Sequence, residues 1–510
     1  MLLLALFFTA CNDGPLSGGK KPNTNGEDPH DNTDPVTYTV TFNSNGGSTV
    51  NPLANVKSGA KINAPAAPVK DNFHYTLDGW YKEQSLSNVW NFAADSVTGD
   101  ITLYAKWRDP PSTNVKYSEY KGLVMAGYQG WFNAPDDGAN RGWRHYGFNS
   151  DTAPTYAAVD FWPDMAEYTV TYAAPFKMPN GSDASLYSPY DEESVALHFK
   201  WMKDYGIDGV FIQRFITEIN NPSGRNHFNK VLRSALRAAR EYERAIGVMY
   251  DLSGCQPADL DILIQDWAEL QTIFSLVDSS INPTYIHHNG KPLLTMWGVG
   301  FNDPRAYTTV QVRTMITALK SQHDVSIMLG IPYWWRTDGG DVKDGALLRS
   351  LIEDDIDIIM PWSVGRYDNG SYSGGEHAQK IPGDISWCNS KNVDYVPLVF
   401  PGFSWGNLKD NNDYNSMPRL KGDFLWKQVA GAKTKGAQSL YVAMFDETSE
   451  GTAIFKMAVE GNVPVWTESG KKFVGIENDL ASDYYLWLVG EAAKWFHGDS
   501  GYSATKPVRK

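Results

Sequence analysis

Short apolar runs recur along the chain from residue 119 onward, and each is rich in β-branched or aromatic side chains. The eight runs are Leu123–Tyr128, Gly209–Gln213, Ile246–Asp251, Pro292–Trp297, Ser326–Ile331, Asp357–Pro361, Tyr395–Phe400 and Leu440–Phe445. Near-continuous apolar runs are typical of parallel strands that are buried on both faces. The pattern therefore predicts eight parallel strands.

Stretches with helical periodicity separate several of these runs. They are Tyr190–Tyr205, Asn226–Arg244, Asp259–Phe274, Val310–Gln322 and Ala481–Phe496. Eight strand–helix units predict an α/β fold, a (β/α)₈ TIM barrel over residues 119–498. A doubly wound sheet is the alternative, but no Gly-rich phosphate loop follows the first run, which favours the barrel.

A different pattern occupies residues 37–108. Residues Thr37–Asn43 alternate as a half-buried strand does, Asn45-Gly46-Gly47 follows as a turn signal, and a second strand-like run, Ile101–Trp107, ends the segment. This predicts a small β-rich domain ahead of the barrel. Residues 109–118 are predicted to be a linker, and residues 499–510 a polar tail.

The first residues have the composition of a targeting segment. Residues 1–10 are apolar and precede Cys11, as in a secretion signal, and residues 12–36 are polar, as in a flexible tether. The stretch Phe8-Thr9-Ala10-Cys11 resembles a bacterial lipobox, in which the cysteine carries the lipid. We therefore predict a secreted bacterial lipoprotein, at the outer membrane or cell surface, with residues 1–11 as its signal segment. Its only predicted membrane contact is the lipid anchor on Cys11.

Composition and charge narrow the classes of function. The formal net charge of −14 argues against nucleic acid as a partner, because nucleic-acid binders display basic patches. Cys255 and Cys388 either pair or remain separate thiols, and the three cysteines match no zinc pattern. His287-His288 precedes an Asn-Gly turn and is predicted to be a loop rather than a metal site. We expect no metal and no cofactor, and the oligomeric state is left open.

Aromatic residues make up 13% of the chain, and many lie where the predicted strands end. Active sites of TIM barrels form at these carboxyl ends. Aromatic plates with polar groups between them suit the apolar faces and hydroxyl edges of sugars, so we expect a carbohydrate cleft. The predicted substrate-binding residues are Tyr128, Gln129, Trp131, His145, Arg214, Asp251, Trp297, Trp334, Trp335, Trp362 and Trp405.

Two carboxyl groups follow the eighth run. Glu447 and Glu450 are three residues apart, so a single helical turn would place them on one side with their Cβ atoms about 5–6 Å apart. Glycosidases use a pair of carboxyl groups at comparable spacing. Glu447 and Glu450 are therefore the predicted catalytic residues.

The β-rich segment resembles the Listeria–Bacteroides repeat, a β-grasp-like module of bacterial surface proteins. The similarity rests on Val40-Thr41-Phe42, Asn45-Gly46-Gly47, Gly79-Trp80-Tyr81 and the run Leu103–Trp107. It implies a spacer or adhesive module rather than a sugar-binding one.

The barrel segment resembles glycoside hydrolase family 99, the endo-α-mannosidases and endo-α-mannanases, with related barrels in family 71. The most specific match is Glu447-Thr448-Ser449-Glu450-Gly451-Thr452. The residue before it, Asp446, stands where the family motif has Asn. Three further segments correspond to the family: Gly127–Phe132, Ile207–Val210 and Tyr285–Pro292. The family's proposed reaction passes through a 1,2-anhydro sugar. By this resemblance Glu447 would remove the 2-hydroxyl proton, and Glu450 would act as acid and then as base.

These observations predict a glycoside hydrolase acting on polysaccharide or glycan chains, most similar to a retaining, endo-acting α-mannosidase or α-mannanase. The alternatives are a glycosidase of other specificity, such as an α-glucanase, a xylosidase or an arabinosidase, and a non-catalytic surface glycan-binding protein. The retained glutamate pair argues against the last of these.

Overall fold

The computed structural model of the chain describes residues 35–70, 73–111, 114–373 and 376–509. The predicted signal segment, the lipidation site Cys11 and nearly all of the predicted tether lie outside the described residues. The described chain divides into two compact units. The first comprises residues 35–70 and 77–108, and the second comprises residues 73–76 and 109–509.

The first unit is a four-stranded sheet with its own apolar core. Its strands are β1 (Thr37–Asn43), β2 (Leu53–Lys57), β3 (Thr76–Tyr81) and β4 (Ile101–Arg108), in the order β2-β1-β4-β3. Strand β1 pairs antiparallel with β2 and parallel with β4. The inward residues Val40, Phe42, Trp80, Trp90 and Leu103 are buried together, as the alternation in β1 predicts.

The second unit contains the remaining strands. They are β5 (Val124–Tyr128), β6 (Tyr172–Lys177), β7 (Asp183–Leu186), β8 (Gly209–Phe215), β9 (Ala245–Asp251), β10 (His287–His288), β11 (Lys291–Trp297), β12 (Ser326–Pro332), β13 (Ile358–Trp362), β14 (Asp394–Tyr395), β15 (Leu398–Val399) and β16 (Leu440–Val442). All eight predicted runs are found as strands, the seventh of them as the two short pieces β14 and β15.

Helices lie between these strands. They are α1 (Glu192–Tyr205), α2 (Ile216–Ile219), α3 (Pro222–Tyr242), α4 (Leu260–Phe274), α5 (Thr309–Gln322), α6 (Gly345–Asp355), α7 (Asn369–Ser373), α8 (Glu376–Ser390), α9 (Asp423–Thr434) and α10 (Tyr484–Phe496). Single 3₁₀ turns occur at Pro257–Asp259, Leu420–Gly422 and Glu460–Asn462. No helix in the described ranges combines the length and the apolar character that a membrane span requires.

The parallel strands close into a barrel. The sheet runs β14-β13-β12-β11-β9-β8-β5-β16-β15, and its two end strands, β14 and β15, are separated along the chain by only Val396 and Pro397. One extended segment therefore pairs with β13 at its start and with β16 at its end. Pro397 has no N–H to donate, but pairing continues between the two pieces, because the Val396 N–H donates to the Ile359 carbonyl at 2.9 Å and the Pro397 carbonyl accepts from the Tyr441 N–H at 3.1 Å. The predicted TIM barrel is confirmed, and the doubly wound alternative is excluded by this closure.

The sequence explains both the barrel interior and the layer outside it. Alternate residues of each strand point to opposite faces, so Met125, Phe211 and Met249 pack inside the barrel while Val124 and Val210 face the helices. Gly247 leaves room for a neighbour, because a Cβ atom there would lie 2.7 Å from the ring of Phe211.

Local capping explains where the long helix α3 begins. Asn221 precedes it with extended backbone, and its side chain accepts a hydrogen bond from the Gly224 N–H at 3.0 Å. Pro222 occupies the first helical turn, where its missing N–H costs nothing. Helix α3 therefore begins four residues earlier than the apolar periodicity predicts. The short helix α2 lies before it and directly follows β8.

Candidate active site

A cavity of about 360 Å³ opens where the parallel strands end. Gln129 follows β5, Asp251 ends β9, Trp297 ends β11 and Trp362 ends β13. Because the carboxyl ends of parallel strands meet at one end of a barrel, these side chains converge there. The lining residues are Gln129, Trp131, His145, Ala158, Gln213, Phe215, Met249, Asp251, Ser253, Trp297, Trp362, Leu408, Met444, Glu447, Ser449 and Glu450.

Glu447 follows β16 and is 2% exposed. Its Oε2 accepts a hydrogen bond from Nε2 of Gln129 at 2.6 Å, and its Oε1 accepts from the backbone N–H groups of Ser449 at 2.8 Å and Glu450 at 3.2 Å. Burial, together with the nearby charge of Glu450, raises the pKa of Glu447 to about 8.

Glu450 lines the same cavity and is half-buried. Its backbone carbonyl accepts a hydrogen bond from the Ser404 N–H at 2.9 Å, which ties the turn after β16 to the segment after β15. Burial raises the pKa of the Glu450 carboxyl; the positive charge of Lys409 opposes this rise and the charge of Asp251 adds to it. The two predicted catalytic carboxyl groups thus line one cavity, and both have raised pKa values.

Asp446 connects the ends of strands β16 and β5 from behind the cavity. Its carboxylate is fully buried, and its Oδ1 and Oδ2 accept hydrogen bonds from the N–H groups of Gln129 at 2.7 Å and Gly130 at 2.9 Å. Burial raises the pKa of Asp446 to about 7. Asp446 therefore fixes the backbone that carries Gln129.

Flat aromatic rings form much of the cavity wall. The imidazole of His145 stacks on the indole of Trp131, with ring centroids 4.1 Å apart and an angle of 6° between the ring planes. The ring of Phe215 also stacks on Trp131, with a centroid distance of 4.9 Å and an interplanar angle of 28°. Trp297 and Trp362 form a second pair, edge to face at 5.2 Å. Such surfaces suit the C–H faces of a sugar ring.

A buried glutamate holds the rim segment that carries His145. Glu218, on α2, accepts hydrogen bonds from Nε2 of His145 at 2.5 Å, from Arg144 at 2.9 Å and from Arg141. Burial opposes ionisation of Glu218, but the hydrogen bond and the three basic groups outweigh it and lower its pKa. Sequence reasoning missed Glu218, because only folding brings α2 against the rim.

Eight of the predicted residues are brought together at this cavity. They are Gln129, Trp131, His145, Asp251, Trp297, Trp362, Glu447 and Glu450. Asp251 also accepts a hydrogen bond from the Ser253 N–H at 2.6 Å, and burial raises the pKa of its carboxyl.

Three predicted contacts with substrate are corrected, because the side chains lie elsewhere and are fully buried. The Tyr128 hydroxyl pairs with Nδ1 of His198 on α1 at 2.9 Å. Arg214 forms an ion pair with Asp266 on α4, with Nε to Oδ2 at 2.7 Å. Both residues occupy outward positions of their strands, so they face the helix layer. Trp335 packs edge to face on Trp387 of α8 at 4.8 Å.

Trp334 and Trp405 also lie outside the cavity lining. Trp334 packs edge to face on Tyr333 at 4.9 Å, within the core group that includes the barrel interior. Trp405 packs on Phe403 at 5.0 Å, and its Nε1 donates to Asp413 at 3.0 Å. Both aromatic side chains are used for packing at the rim.

The cavity also contains residues that sequence reasoning did not select. Gln213 and Phe215 are two residues apart on β8, and Met249 is two residues before Asp251 on β9. Because alternate residues of a strand share a face, this spacing indicates which side chains point into the cavity. Ala158 and Leu408 come from long rim segments and carried no such signal.

Metal ligation finds no support in the side chains that the structure describes. No group of three or more His, Cys, Asp or Glu side chains there could hold a metal ion. His288 is buried, with Nδ1 at 2.7 Å from Ser326 Oγ and Nε2 at 3.0 Å from Asp394. Cys255 and Cys388 are separate buried thiols.

The chain is similar to known proteins in two respects, the first of which concerns the β-rich unit. The family model of the Listeria-Bacteroides repeat domain matches residues 38–106. A relative from Evansella cellulosilytica, named as a Gly-rich membrane protein, is 44% identical over 70 residues, which is 14% of this chain and 8% of the relative.

The barrel has similarities of its own. The glycoprotein endo-alpha-1,2-mannosidase-like proteins of Mus musculus and Homo sapiens are each 27% identical over 119 residues, which is 22% of this chain and 26% of theirs. The chain thus spans well under a third of the curated relatives that it matches. The structure of a glycoside hydrolase family 99 endo-α-mannosidase from Bacteroides thetaiotaomicron superposes with a TM-score of 0.52 at 15% identity. That superposition covers 74% of this chain and 97% of the other. This similarity establishes a shared fold.

Proposed function

We propose that the barrel is a glycoside hydrolase that cleaves α-linked glycan chains internally with net retention, with α-mannosides as the preferred substrate class. The observation that carries the proposal is the pair Glu447 and Glu450, which line one aromatic cavity at the carboxyl end of the barrel. The fold of the Bacteroides enzyme and the similarity to the mammalian endo-mannosidase-like proteins support the choice of substrate.

The surroundings of the two carboxyl groups support different roles for them. Glu447 accepts three N–H hydrogen bonds, which favour its ionised form, whereas Glu450 is half-buried beside the cavity. In the proposed first step, Glu447 takes the proton of the sugar 2-hydroxyl, whose oxygen attacks C1. Glu450 gives its proton to the leaving oxygen as the glycosidic bond breaks.

The second step reverses these proton movements. Glu450 takes a proton from water, and the oxygen of that water attacks C1 and opens the 1,2-anhydro ring. The oxygen at C2 regains its proton from Glu447. Two displacements at C1 give net retention, and both carboxyl groups end in their starting states.

The test is hydrolysis by the purified full chain of a panel of α-mannans, α-glucans, xylans and arabinans, followed by reducing-end release and product anomer analysis. We expect cleavage of an α-mannan with retention and internal products. Glu447→Gln and Glu450→Gln should each lower the rate by about 10²–10⁴-fold, the usual contribution of a positioned acid or base.

Glu460→Gln is the matched control, because Glu460 is exposed and lies on the 3₁₀ turn Glu460–Asn462, away from the cavity lining. Its rate should equal that of the wild type. Net inversion, or full activity in either cavity variant, would contradict the assignment. Binding of the glycan without any turnover would instead identify a glycan-binding protein.

We also propose that the protein is held at the cell surface through a lipid on Cys11. The support is the apolar run before Cys11, the polar stretch after it, the match of residues 38–106 to the Listeria-Bacteroides repeat domain and the 44% identity over 70 residues to a relative named as a membrane protein. Cys11→Ser should move the protein from the membrane fraction of its host to the soluble fraction. Retention of the variant in the membrane fraction would contradict the lipid anchor.

A further inference from the structure

Gln129 occupies a position that the backbone fixes closely. Its N–H and that of Gly130 both donate to the buried carboxylate of Asp446, at 2.7 and 2.9 Å. Gly130 has a φ of +57°, and a Cβ atom there would lie 2.9 Å from Tyr128 and from Val231. The turn that presents the Gln129 side chain to the cavity therefore requires glycine at position 130 and an acceptor at position 446.

The amide of Gln129 is directed at Glu447 rather than at open space. Nε2 donates to Glu447 Oε2 at 2.6 Å. Oε1 of Gln129 is buried and has no hydrogen-bond partner within the part of the chain that the structure describes. The hydrogen bond from Nε2 to Glu447 is therefore the polar contact that the side-chain amide of Gln129 makes within the described residues.

We propose that Gln129 is a positioning residue that orients the Glu447 carboxylate and favours its ionised form, with Asp446 holding Gln129 in place. This inference rests on the proposed function, in which Glu447 acts as the base, and it adds a positioning role to the predicted contact between Gln129 and substrate. It concerns a feature particular to this chain, since Asp446, which holds Gln129, replaces the Asn of the motif that the sequence resembles.

Several charges act on Glu447 in this cavity. Glu450 and Asp446 face it from its own segment, Asp251 and His145 line the same cavity, and Lys409 acts on Glu450. Burial and the two neighbouring acids favour the protonated form of Glu447. The hydrogen bond from Gln129 works against them, because a donor stabilises the charged form of a carboxyl group.

The experiment measures the protonation of Glu447 directly. The full chain is labelled with ¹³C at the side-chain carboxyl carbon of glutamate, the Glu447 signal is assigned with Glu447→Gln, and its shift is followed from pH 5 to pH 10. Gln129→Met removes the donor at similar volume, and it should raise the Glu447 midpoint by about one pH unit. Gln129→Glu is nearly isosteric and places a second acid beside Glu447, so it should raise the midpoint as well.

Gln213→Met is the matched control. Gln213 is a second amide that lines the cavity, but its Nε2 donates to the Tyr441 hydroxyl at 3.1 Å rather than to Glu447. Its removal should leave the Glu447 midpoint at the wild-type value, whatever happens to the rate. An unchanged midpoint in folded Gln129→Met would overturn the proposal, and if that variant does not fold, an unchanged midpoint in Gln129→Glu would do the same.

A kinetic measurement connects the titration to the reaction. Since one pH unit is a factor of ten in the ionised fraction, kcat/KM of Gln129→Met should fall about tenfold at neutral pH while KM changes little. If the midpoint moves as expected but the wild type cleaves no glycoside, the proposed function fails and the role of Gln129 in setting Glu447 ionisation stands. If the wild type is active and the Glu447 midpoint does not move in Gln129→Met, the proposed function stands and the proposed role of Gln129 fails.

Discussion

Glu447 and Glu450 are two of the three acids that line the cavity. Burial raises the cost of ionising both carboxyl groups, and the charge of Glu450 adds to that cost for Glu447. The pair therefore titrates as a unit and holds one proton near neutral pH. The three N–H donors on Glu447 oppose the rise in its pKa, and the proposed first step uses the form in which Glu447 is charged and Glu450 carries the proton.

This sharing predicts the pH dependence of the reaction. The pKa of Glu447 lies near 8 while Glu450 is charged, so the pair keeps its last proton until about pH 8. A raised pKa extends the pH range over which an acid stays protonated, so kcat/KM should stay high up to about pH 8 and fall above it. It should also fall at low pH, where both groups are protonated and the base is lost. A pH profile on a soluble substrate measures both limbs; a fall complete by pH 6 would contradict the shared proton.

The acid and the base should respond differently to the leaving group. Glu450→Gln removes the proton donor, so its rate should fall about 10²–10⁴-fold on a glycan and much less on an aryl glycoside whose leaving group is already a stable anion. Glu447→Gln should be slow on both substrates, because the 2-hydroxyl must still lose its proton. Comparing the two variants on the two substrates tests the assignment. If Glu450→Gln lowers the rate equally on the glycan and on the aryl glycoside, Glu450 is not the proton donor.

At the scale of elements, strand alternation decides which side chains reach the cavity. The eight apolar runs were enough to predict the barrel and the end at which a site forms. An apolar run does not, however, specify which of two consecutive residues at a strand end points inward, because side chains alternate between the two faces. Gln213 therefore lines the cavity while the adjacent Arg214 pairs with Asp266 in the helix layer.

The rim of the cavity could not be predicted in the same way. Ala158 and Leu408 reach it from long segments without regular periodicity, and Glu218 acts from the short helix α2. Contacts of this kind join residues 73–77 positions apart, as Glu218 does with His145, Arg144 and Arg141. No local pattern in the chain encodes which partners such segments will meet.

The link between α2 and the rim predicts a specific defect. Glu218→Gln removes the charge that Arg141 and Arg144 pair with, and the side chain of Arg141 is only 8% exposed. Breaking a buried pair from one side typically costs about 3–5 kcal/mol, so the free energy of unfolding should fall by an amount in that range. The rim should loosen, and because His145 stacks on Trp131, KM should rise more than kcat falls.

Glu269→Gln provides the comparison for this variant. Glu269 pairs with Arg225 at 3.3 Å, and both side chains are more than a third exposed, so its loss should change stability by less than about 1 kcal/mol. Denaturant unfolding and steady-state kinetics on both variants give the measurement. A Glu218→Gln protein as stable as Glu269→Gln, with an unchanged KM, would show that α2 does not hold the rim.

At the scale of the whole molecule, the two units have separate cores. The first unit buries Trp80, Trp90 and Leu103 within its own sheet, and none of its described residues lines the cavity. The second unit nevertheless includes residues 73–76, the last of which is the first residue of β3. Phe73 is 6% exposed there and packs edge to face on Phe274 of α4 at 5.2 Å.

Deletion of residues 12–116 should therefore separate activity from stability. The cavity keeps all of its lining residues, so kcat and KM on a soluble glycan should remain close to those of the full chain. Stability should fall, because the deletion removes Phe73 from the core of the second unit, and truncating a buried phenylalanine typically costs about 3–5 kcal/mol. Phe73→Ala in the full chain should reproduce most of the loss in melting temperature while leaving the first unit in place. A large loss of kcat in a folded deletion variant would instead mean that residues 12–116 help to form the site. An unchanged melting temperature in both the deletion variant and Phe73→Ala would mean that Phe73 adds nothing to the stability of the barrel core.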